Sequence, residues 1–527
     1  MTTPSVRDVA RDLLRDFGLT TVFGNPGTTE IPFLVDWPAG FRYVLGLQEA
    51  AVVAMADGYA QAADQPVLVN LHSAGGLGHG LGHVFTAYRN RTPMLVLAGQ
   101  QVRSLLPGEP FLGASDPTVF PRPYVKWSCE PARAQDVAAA LAHAYHLAVQ
   151  PPTGPAFISV PADDWDAPSE GAVPVRPRIL GPVAAPEALS GLASAVDGAE
   201  RPVIVVGAAV DAEDAVADVV ALAERIRAGV FVAPMSSRCS FPEDHPLFQG
   251  FLDPEERSIA AALEPYDLAL VLGAPVFTLH VFRGNAATPL PPLFLINDDP
   301  DVLARAKAGV GIRSMIGPAV RRLSEMVVPV DRVTPKPLVR PAIPADSDPV
   351  SPVHVLAALA NLLPDNALVV EEAPSHRNLM HDYLPIRARH TGFLTMASGT
   401  LGWGLPAAVG AALGRPDRRV VAILGDGSSM YGIQALWTAA RENLPMTFVI
   451  LDNAEYAALK LLSSAEQKIP GTDLGGIDFA ALATSLGCYG ITVESIADFR
   501  TALKRSLIED RPTVVHVRVT DPAHTLY

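Results

Sequence analysis

The sequence predicts an α/β protein of three doubly wound parallel-sheet domains, and three observations carry that prediction. The chain has 527 residues, more than one hydrophobic core usually serves, so several domains are expected. Short apolar runs rich in β-branched residues alternate with alanine-rich stretches of helical period, as in parallel strands joined by crossover helices. Two aperiodic stretches interrupt the alternation: residues 167–187 contain five prolines and residues 329–352 contain seven. Read as linkers, they divide the chain into segments 1–180, 181–340 and 341–527.

In the first segment, residues 41–47 read as a strand and 51–63 as a helix, so Gln48-Glu49-Ala50 places Glu49 at a strand-to-helix junction. A carboxylate there serves the positive end of the helix dipole, worth about 0.3–1 kcal/mol, or a ligand at the sheet edge. In the middle segment, residues 202–207, 230–233 and 268–273 read as buried strands, alternating with helices such as 214–228. The first of these runs into Gly207-Ala208-Ala209-Val210-Asp211 and lacks G-x-G-x-x-G, so no nucleotide site is expected there.

The third segment carries the most informative pattern. Residues 420–424 and 446–451 read as buried strands flanking a helix over 430–441, and the first strand ends in Gly425-Asp426-Gly427-Ser428. A strand-helix-strand unit of this length sets its strands in parallel, so Asp426 and Asn453 emerge on one edge. Their oxygens suit a hard divalent cation such as magnesium, which keeps water and phosphate oxygens as its remaining ligands. Gly425 and Gly427 let the chain turn sharply and bring N–H groups toward a diphosphate at the helix start. Alone, a Gly-Asp-Gly is more often a tight turn; Asn453 at the end of the next strand favours the cation.

Composition narrows the function classes. With 49% hydrophobic and 18% charged residues the chain is well-packed and globular, and 40 basic against 55 acidic residues give a net charge of −15. That balance disfavours nucleic acid or an anionic membrane as partner. Cys129, Cys239 and Cys488 lie far apart without metal spacing, so reduced, structural thiols are expected. Residues 1–18 are amphipathic and charged, and no apolar run reaches bilayer length, so a cytoplasmic location is expected.

The third-segment motif resembles the diphosphate-binding signature of thiamine diphosphate (ThDP) enzymes, in which a backbone carbonyl two residues past the asparagine completes the metal shell. Here that carbonyl is Glu455's. Most members have two asparagines where this chain has Asp452-Asn453, and only the second matches the metal ligand. The first segment resembles the same family through Phe23-Gly24-Asn25-Pro26-Gly27, Glu49, and Leu71-His72-Ser73-Ala74-Gly75-Gly76-Leu77-Gly78. The resemblance implies pyrimidine-binding, central Rossmann-like and diphosphate-binding domains, in that order. It also implies that Glu49 hydrogen-bonds the aminopyrimidine and promotes loss of the thiazolium C2 proton. Since that glutamate and the magnesium motif come from different subunits in the family, at least a homodimer is implied, a tetramer being the common state.

Within the 2-oxo acid decarboxylases of this family, the benzoylformate decarboxylase branch is most similar, over nearly the whole chain. Thr21-Val22-Phe23, Ala56-Asp57-Gly58-Tyr59-Ala60, Gly99-Gln100-Gln101, Val125-Lys126-Trp127-Ser128, Gly273-Ala274-Pro275-Val276-Phe277 and Ala435-Leu436-Trp437-Thr438-Ala439 carry the similarity. The resemblance implies two working histidines at His72 and His280, with Thr28 as the hydroxyl that contacts the substrate carboxylate. It matches Leu401 to the residue that supports the bent cofactor and the Gly399 carbonyl to the acceptor for its amine. Thr395 and Leu462 stand where that branch has pocket aromatics, Phe111 and Leu112 match an apolar pocket loop, and Ala458 sets space beside the reacting carbon. The implied reaction is non-oxidative decarboxylation of an aromatic or bulky 2-oxo acid, such as benzoylformate in the mandelate pathway, through an enamine on the cofactor. An acetolactate-synthase-like carboligase and a silent ThDP-binding paralogue remain alternatives.

Overall fold

In the computed structural model, residues 3–345, 350–387, 390–462 and 469–520 are described. The expected three parallel sheets are present, each with six strands. The first comprises β1 (Thr21–Asn25), β2 (Arg42–Leu45), β3 (Val67–Leu71), β4 (Met94–Gln100), β5 (Ser128–Cys129) and β6 (Ala156–Pro161), in the order β2-β1-β3-β4-β6-β5. The second comprises β7 (Pro202–Val206), β8 (Gly229–Val232), β9 (Phe248–Phe251), β10 (Leu268–Leu272), β11 (Leu293–Asn297) and β12 (Val310–Arg313), ordered β12-β11-β10-β7-β8-β9. The third comprises β13 (Leu368–Glu372), β14 (Phe393–Leu394), β15 (Val420–Gly425), β16 (Thr447–Asp452), β17 (Tyr489–Val493) and β18 (Thr513–Arg518), ordered β14-β13-β15-β16-β18-β17.

The central strands β3, β4, β7, β10 and β13 are buried along their whole length. This is why they read as continuous apolar runs rather than as alternating patterns. In the middle domain the order reverses between β7 and β10, the crevice where a doubly wound sheet takes ligands. Gly207 and Gly273 fill that crevice: a Cβ on Gly207 would lie 2.5 Å from the Gly273 carbonyl oxygen and from the Ala274 side chain. The Gly207 N–H is spent on the Leu272 carbonyl.

The terminal domains share one hydrophobic cluster, from Phe23 and Val44 through Trp403 and Leu405 to Phe448 and Val514. Its densest contact is the crossing of the helices Glu49–Ala63 and Gly404–Gly414. A Cβ on Gly58 would lie 2.1 Å from the Ala407 carbonyl oxygen, and one on Gly410 only 1.8 Å from that of Met55. The two backbones therefore meet directly, and only glycine permits it. Polar bonds brace the same seam. Fully buried Asp57 accepts from Trp403 Nε1 at 2.6 Å and from Asn90 Nδ2 at 2.8 Å. Asn90 Oδ1 in turn accepts the Ala397 N–H at 2.9 Å.

Two expected helices begin late. The one over 430–441 begins only at Ala435, after a break from the short helix Asp426–Met430. At the break, a Cβ on Gly432 would lie 2.8 Å from Pro406 and 2.9 Å from the Gly402 carbonyl, so the chain turns where it abuts another element. The one over 214–228 begins at Val216, after the separate turn Ala208–Ala212. Among the described residues no helix is long and apolar enough to cross a membrane. Cys129, Cys239 and Cys488 are unbridged, and burial pushes the Cys488 thiol up to about 12.

Candidate active site

The carboxyl ends of β15 and β16 lie side by side, with Gly425 in register with Leu451, so Asp426 and Asn453 emerge on one edge. Asp426 is buried and its Oδ1 accepts the Gly427 N–H at 2.7 Å. Its Oδ2 has no hydrogen-bond partner among the described residues. Burial, with the Asp452 carboxyl beside it, raises the Asp426 carboxyl to about 7. A buried carboxylate with a bare oxygen and a like charge next to it is what a divalent cation relieves. Asn453 Oδ1 accepts the Glu455 N–H at 3.4 Å, which folds the loop that carries the Glu455 carbonyl. Among the described residues no three His, Cys, Asp or Glu side chains gather around a metal position. The donor set is one carboxylate, one amide and a main-chain carbonyl, which suits magnesium completed by phosphate oxygens.

Asp452 has its own support. His516 Nε2, fully buried, donates to Asp452 Oδ2 at 2.8 Å, and the Ala454 N–H donates to Oδ1 at 2.9 Å. Burial opposes ionisation of Asp452, but these two donors hold its carboxyl below the usual range. Ser428 is buried, and its hydroxyl donates to the Glu372 carbonyl at 2.7 Å. The Glu372 side chain accepts the N–H groups of Gly402 and Gly404 at 2.8 Å and of Trp403 at 3.3 Å, and burial raises it to about 8. That carboxyl anchors the segment just past Gly399 and Leu401. Gly399 has φ +76°, a left-handed backbone that sets its carbonyl direction. Leu401 is half-buried against the shared core.

On the first sheet, Glu49 opens its helix and is buried. Asn25 Nδ2 donates to its Oε1 and His79 Nδ1 contacts its Oε2, both at 3.1 Å. Gly76 keeps the space over Glu49 open, since a Cβ there would lie 3.2 Å from Oε1. His72 follows β3, and its Nδ1 is 2.8 Å from Oε2 of Glu30. Glu30 is buried; its Oε1 takes the Thr29 hydroxyl at 2.6 Å and the Gly99 N–H at 2.9 Å, and its Oε2 takes the Gly27 N–H at 2.8 Å. A carboxylate accepts, so Nδ1 of His72 donates to Glu30 and Nε2 is the ring nitrogen turned away from it. Gly27 is required for this packing, because a Cβ would lie 2.1 Å from the imidazole.

Thr28 is exposed at the start of a single 3-10 turn, Thr28–Glu30, beside this cluster. The Ser73 hydroxyl donates to the Leu112 carbonyl at 2.5 Å and Gln101 Nε2 to that of Phe111 at 2.8 Å, bringing the apolar loop next to His72. Phe111 is 86% exposed and does not pack under its loop.

His280 is exposed in the stretch after β10, where its N–H donates to the Pro254 carbonyl at 2.9 Å. Thr395 is buried, and its hydroxyl accepts from Arg377 at 2.9 Å. Ala458 and Leu462 share the helix Ala457–Leu462, the first half-buried and the second exposed. Glu30, His79, Glu372 and His516 have no motif signal of their own; each is found only through the partner it meets in space.

Comparison with known proteins agrees with this arrangement. Residues 4–116, 189–323 and 373–517 match the N-terminal TPP binding, central and C-terminal TPP binding domains of the thiamine pyrophosphate enzymes. The chain is 40% identical to a benzoylformate decarboxylase of Pseudomonas aeruginosa, with 97% of this chain and 98% of that one covered. A thiamine diphosphate-dependent 4-hydroxybenzoylformate decarboxylase of Rhodococcus jostii superposes with a TM-score of 0.95 at 40% identity, over 99% of this chain and all of that one. The large subunit of acetolactate synthase isozyme 1 of Escherichia coli is 26% identical, over 96% and 92% of the two chains.

Proposed function

Because the chain belongs to the thiamine pyrophosphate enzyme family, we propose that it decarboxylates an aromatic or bulky 2-oxo acid without oxidation. Benzoylformate, giving benzaldehyde and carbon dioxide, is the substrate supported best. The observation that carries this reading is the 40% identity to a benzoylformate decarboxylase along nearly the entire length of both chains.

When bound, thiamine diphosphate supplies the electron sink for the pair left by the departing carboxylate. In this reading Asp426, Asn453 and the Glu455 carbonyl would hold Mg2+, and Gly425, Gly427 and Ser428 would bind the diphosphate. Glu49 holds or releases a proton at Oε2, steadied through Oε1 by Asn25. The Gly399 carbonyl and the Leu401 side chain fix the cofactor's attitude. Thr28 Oγ1 donates to the substrate carboxylate, and the imidazoles of His72 and His280 move protons. Phe111, Leu112, Thr395, Ala458 and Leu462 wall the chamber and exclude water. The working unit is at least a homodimer, Glu49 of one chain serving the cation edge of another, and the enzyme is cytoplasmic.

The test is carbon dioxide release with Mg-ThDP from phenylglyoxylate, phenylpyruvate, branched 2-oxo acids and pyruvate. Phenylglyoxylate is expected to give the highest kcat/KM. Acetolactate from pyruvate as the main product would move the chain to the carboligases.

A further inference from the structure

Residues 399–401, which orient the cofactor in the reading above, lie between two clamps. On the far side, buried Glu372 of the third domain accepts the N–H groups of Gly402, Trp403 and Gly404. On the near side the clamp belongs to the first domain. It is the last turn of the helix Ser73–Arg89, with Asn90 as its C-cap.

Asn90 reaches in two directions, and its partners fix which way its amide points. Nδ2 donates to Oδ2 of fully buried Asp57 at 2.8 Å, so Oδ1 accepts the Ala397 N–H at 2.9 Å. Thr86, also fully buried, lies one turn earlier on the helix. Its hydroxyl donates to the Gly82 carbonyl at 3.1 Å, so the 2.8 Å contact with Ser398 is a hydrogen bond that the Ser398 hydroxyl donates. A helical threonine is already satisfied by the carbonyl four residues before it. The bond to Ser398 is therefore additional, and what it restrains is Ser398.

Ser398 passes that restraint on. Its Oγ, pinned by Thr86, accepts the Thr400 N–H at 3.1 Å. That N–H and the Gly399 carbonyl belong to one planar peptide unit and point in opposite directions across it. Fixing the N–H therefore fixes the carbonyl. Gly399 itself is exposed, with a φ of +76°, so the carbonyl's direction depends on these neighbours.

We propose that Thr86 is a positioning residue of the cofactor site: through Ser398 it aims the Gly399 carbonyl at the amine of the aminopyrimidine. Asn90 supports it by holding Ala397. The inference rests on the reading in which that carbonyl accepts from the amine.

The test is a calorimetric titration in Mg2+ with thiamine diphosphate and with its analogue lacking the amino group of the pyrimidine. The wild type is expected to bind the amino compound about tenfold more tightly, the scale of one hydrogen bond. Thr86→Val removes the hydroxyl at nearly equal size and should shrink that preference to about twofold without weakening the analogue, while Thr86→Ser should restore it. Ser398→Ala removes the same bond from its other side, and serves equally if the valine variant fails to fold. A preference undiminished in these variants, or an equal loss for both compounds, overturns the role of Thr86. A wild type that binds the two compounds alike overturns the assignment of the Gly399 carbonyl, and this inference with it.

Discussion

The first and third sheets share one strand order, 2-1-3-4-6-5 within each domain, yet their carboxyl edges are held in opposite electrical states. At the end of the third strand in each stands a residue of the proposed site, His72 after β3 and Asp426 after β15. Around His72 every carboxylate has donors: Glu30 is met by Thr29, Gly27, Gly99 and His72, and Glu49 by Asn25 and His79. Around Asp426 one carboxylate oxygen is bare and a second acid lies alongside. One edge is balanced by its own side chains, whereas the other leaves a carboxylate oxygen unmet among the described residues. Shared topology thus fixes where chemistry emerges, and local charge decides what it needs.

The contrast can be broken in four ways. Glu49→Gln should lower turnover by about a hundredfold or more, the scale of a lost proton-transfer group, with folding and Mg-ThDP affinity retained. Steady-state kinetics beside calorimetric cofactor titration checks it, and near-normal turnover removes Glu49 from the chemistry. Asp426→Ala should weaken metal-dependent cofactor binding by more than about tenfold, as loss of an inner ligand exceeds loss of its supports. Fluorescence titration showing unchanged affinity would place the cation elsewhere.

Glu30→Gln should cost about tenfold in kcat/KM through the orientation of His72, without touching cofactor affinity. A change in both would erase the division between the edges. The last test concerns pH. In protein freed of metal by chelation, Asp426 has a folded value near 7 against about 4 unfolded, so the native state holds the extra proton between them. Stability should therefore fall as pH rises from about 4 to 7, and Asp426→Asn should flatten that slope in thermal melts. Equal slopes in the two proteins would show that Asp426 ionises freely.

Much of this was readable along the chain, for identifiable reasons. Residues 420–424 announce a buried strand because both faces are covered and every position is apolar, and Gly425 marks its end. Asp426 and Asn453 follow from two adjacent strands, and the resemblance to ThDP enzymes singles out Glu49 and His72. What stayed hidden depends on partners distant in sequence. Glu30 meets Gly99 across 69 residues and Asp57 meets Trp403 across 346. The break near Gly432 is dictated by Gly402 and Pro406, so no periodicity within 430–441 reveals it. What Asp452 meets was hidden too: His516, 64 residues on, donates to this carboxylate.

The glycine contact between the helices Glu49–Ala63 and Gly404–Gly414 has a mechanical consequence. One helix starts with Glu49 and the other follows directly on the Gly399–Leu401 segment, and at the glycines where they cross the backbones touch with no side chain between them. The chain is thus doweled at that crossing, and its two terminal domains must travel as one block.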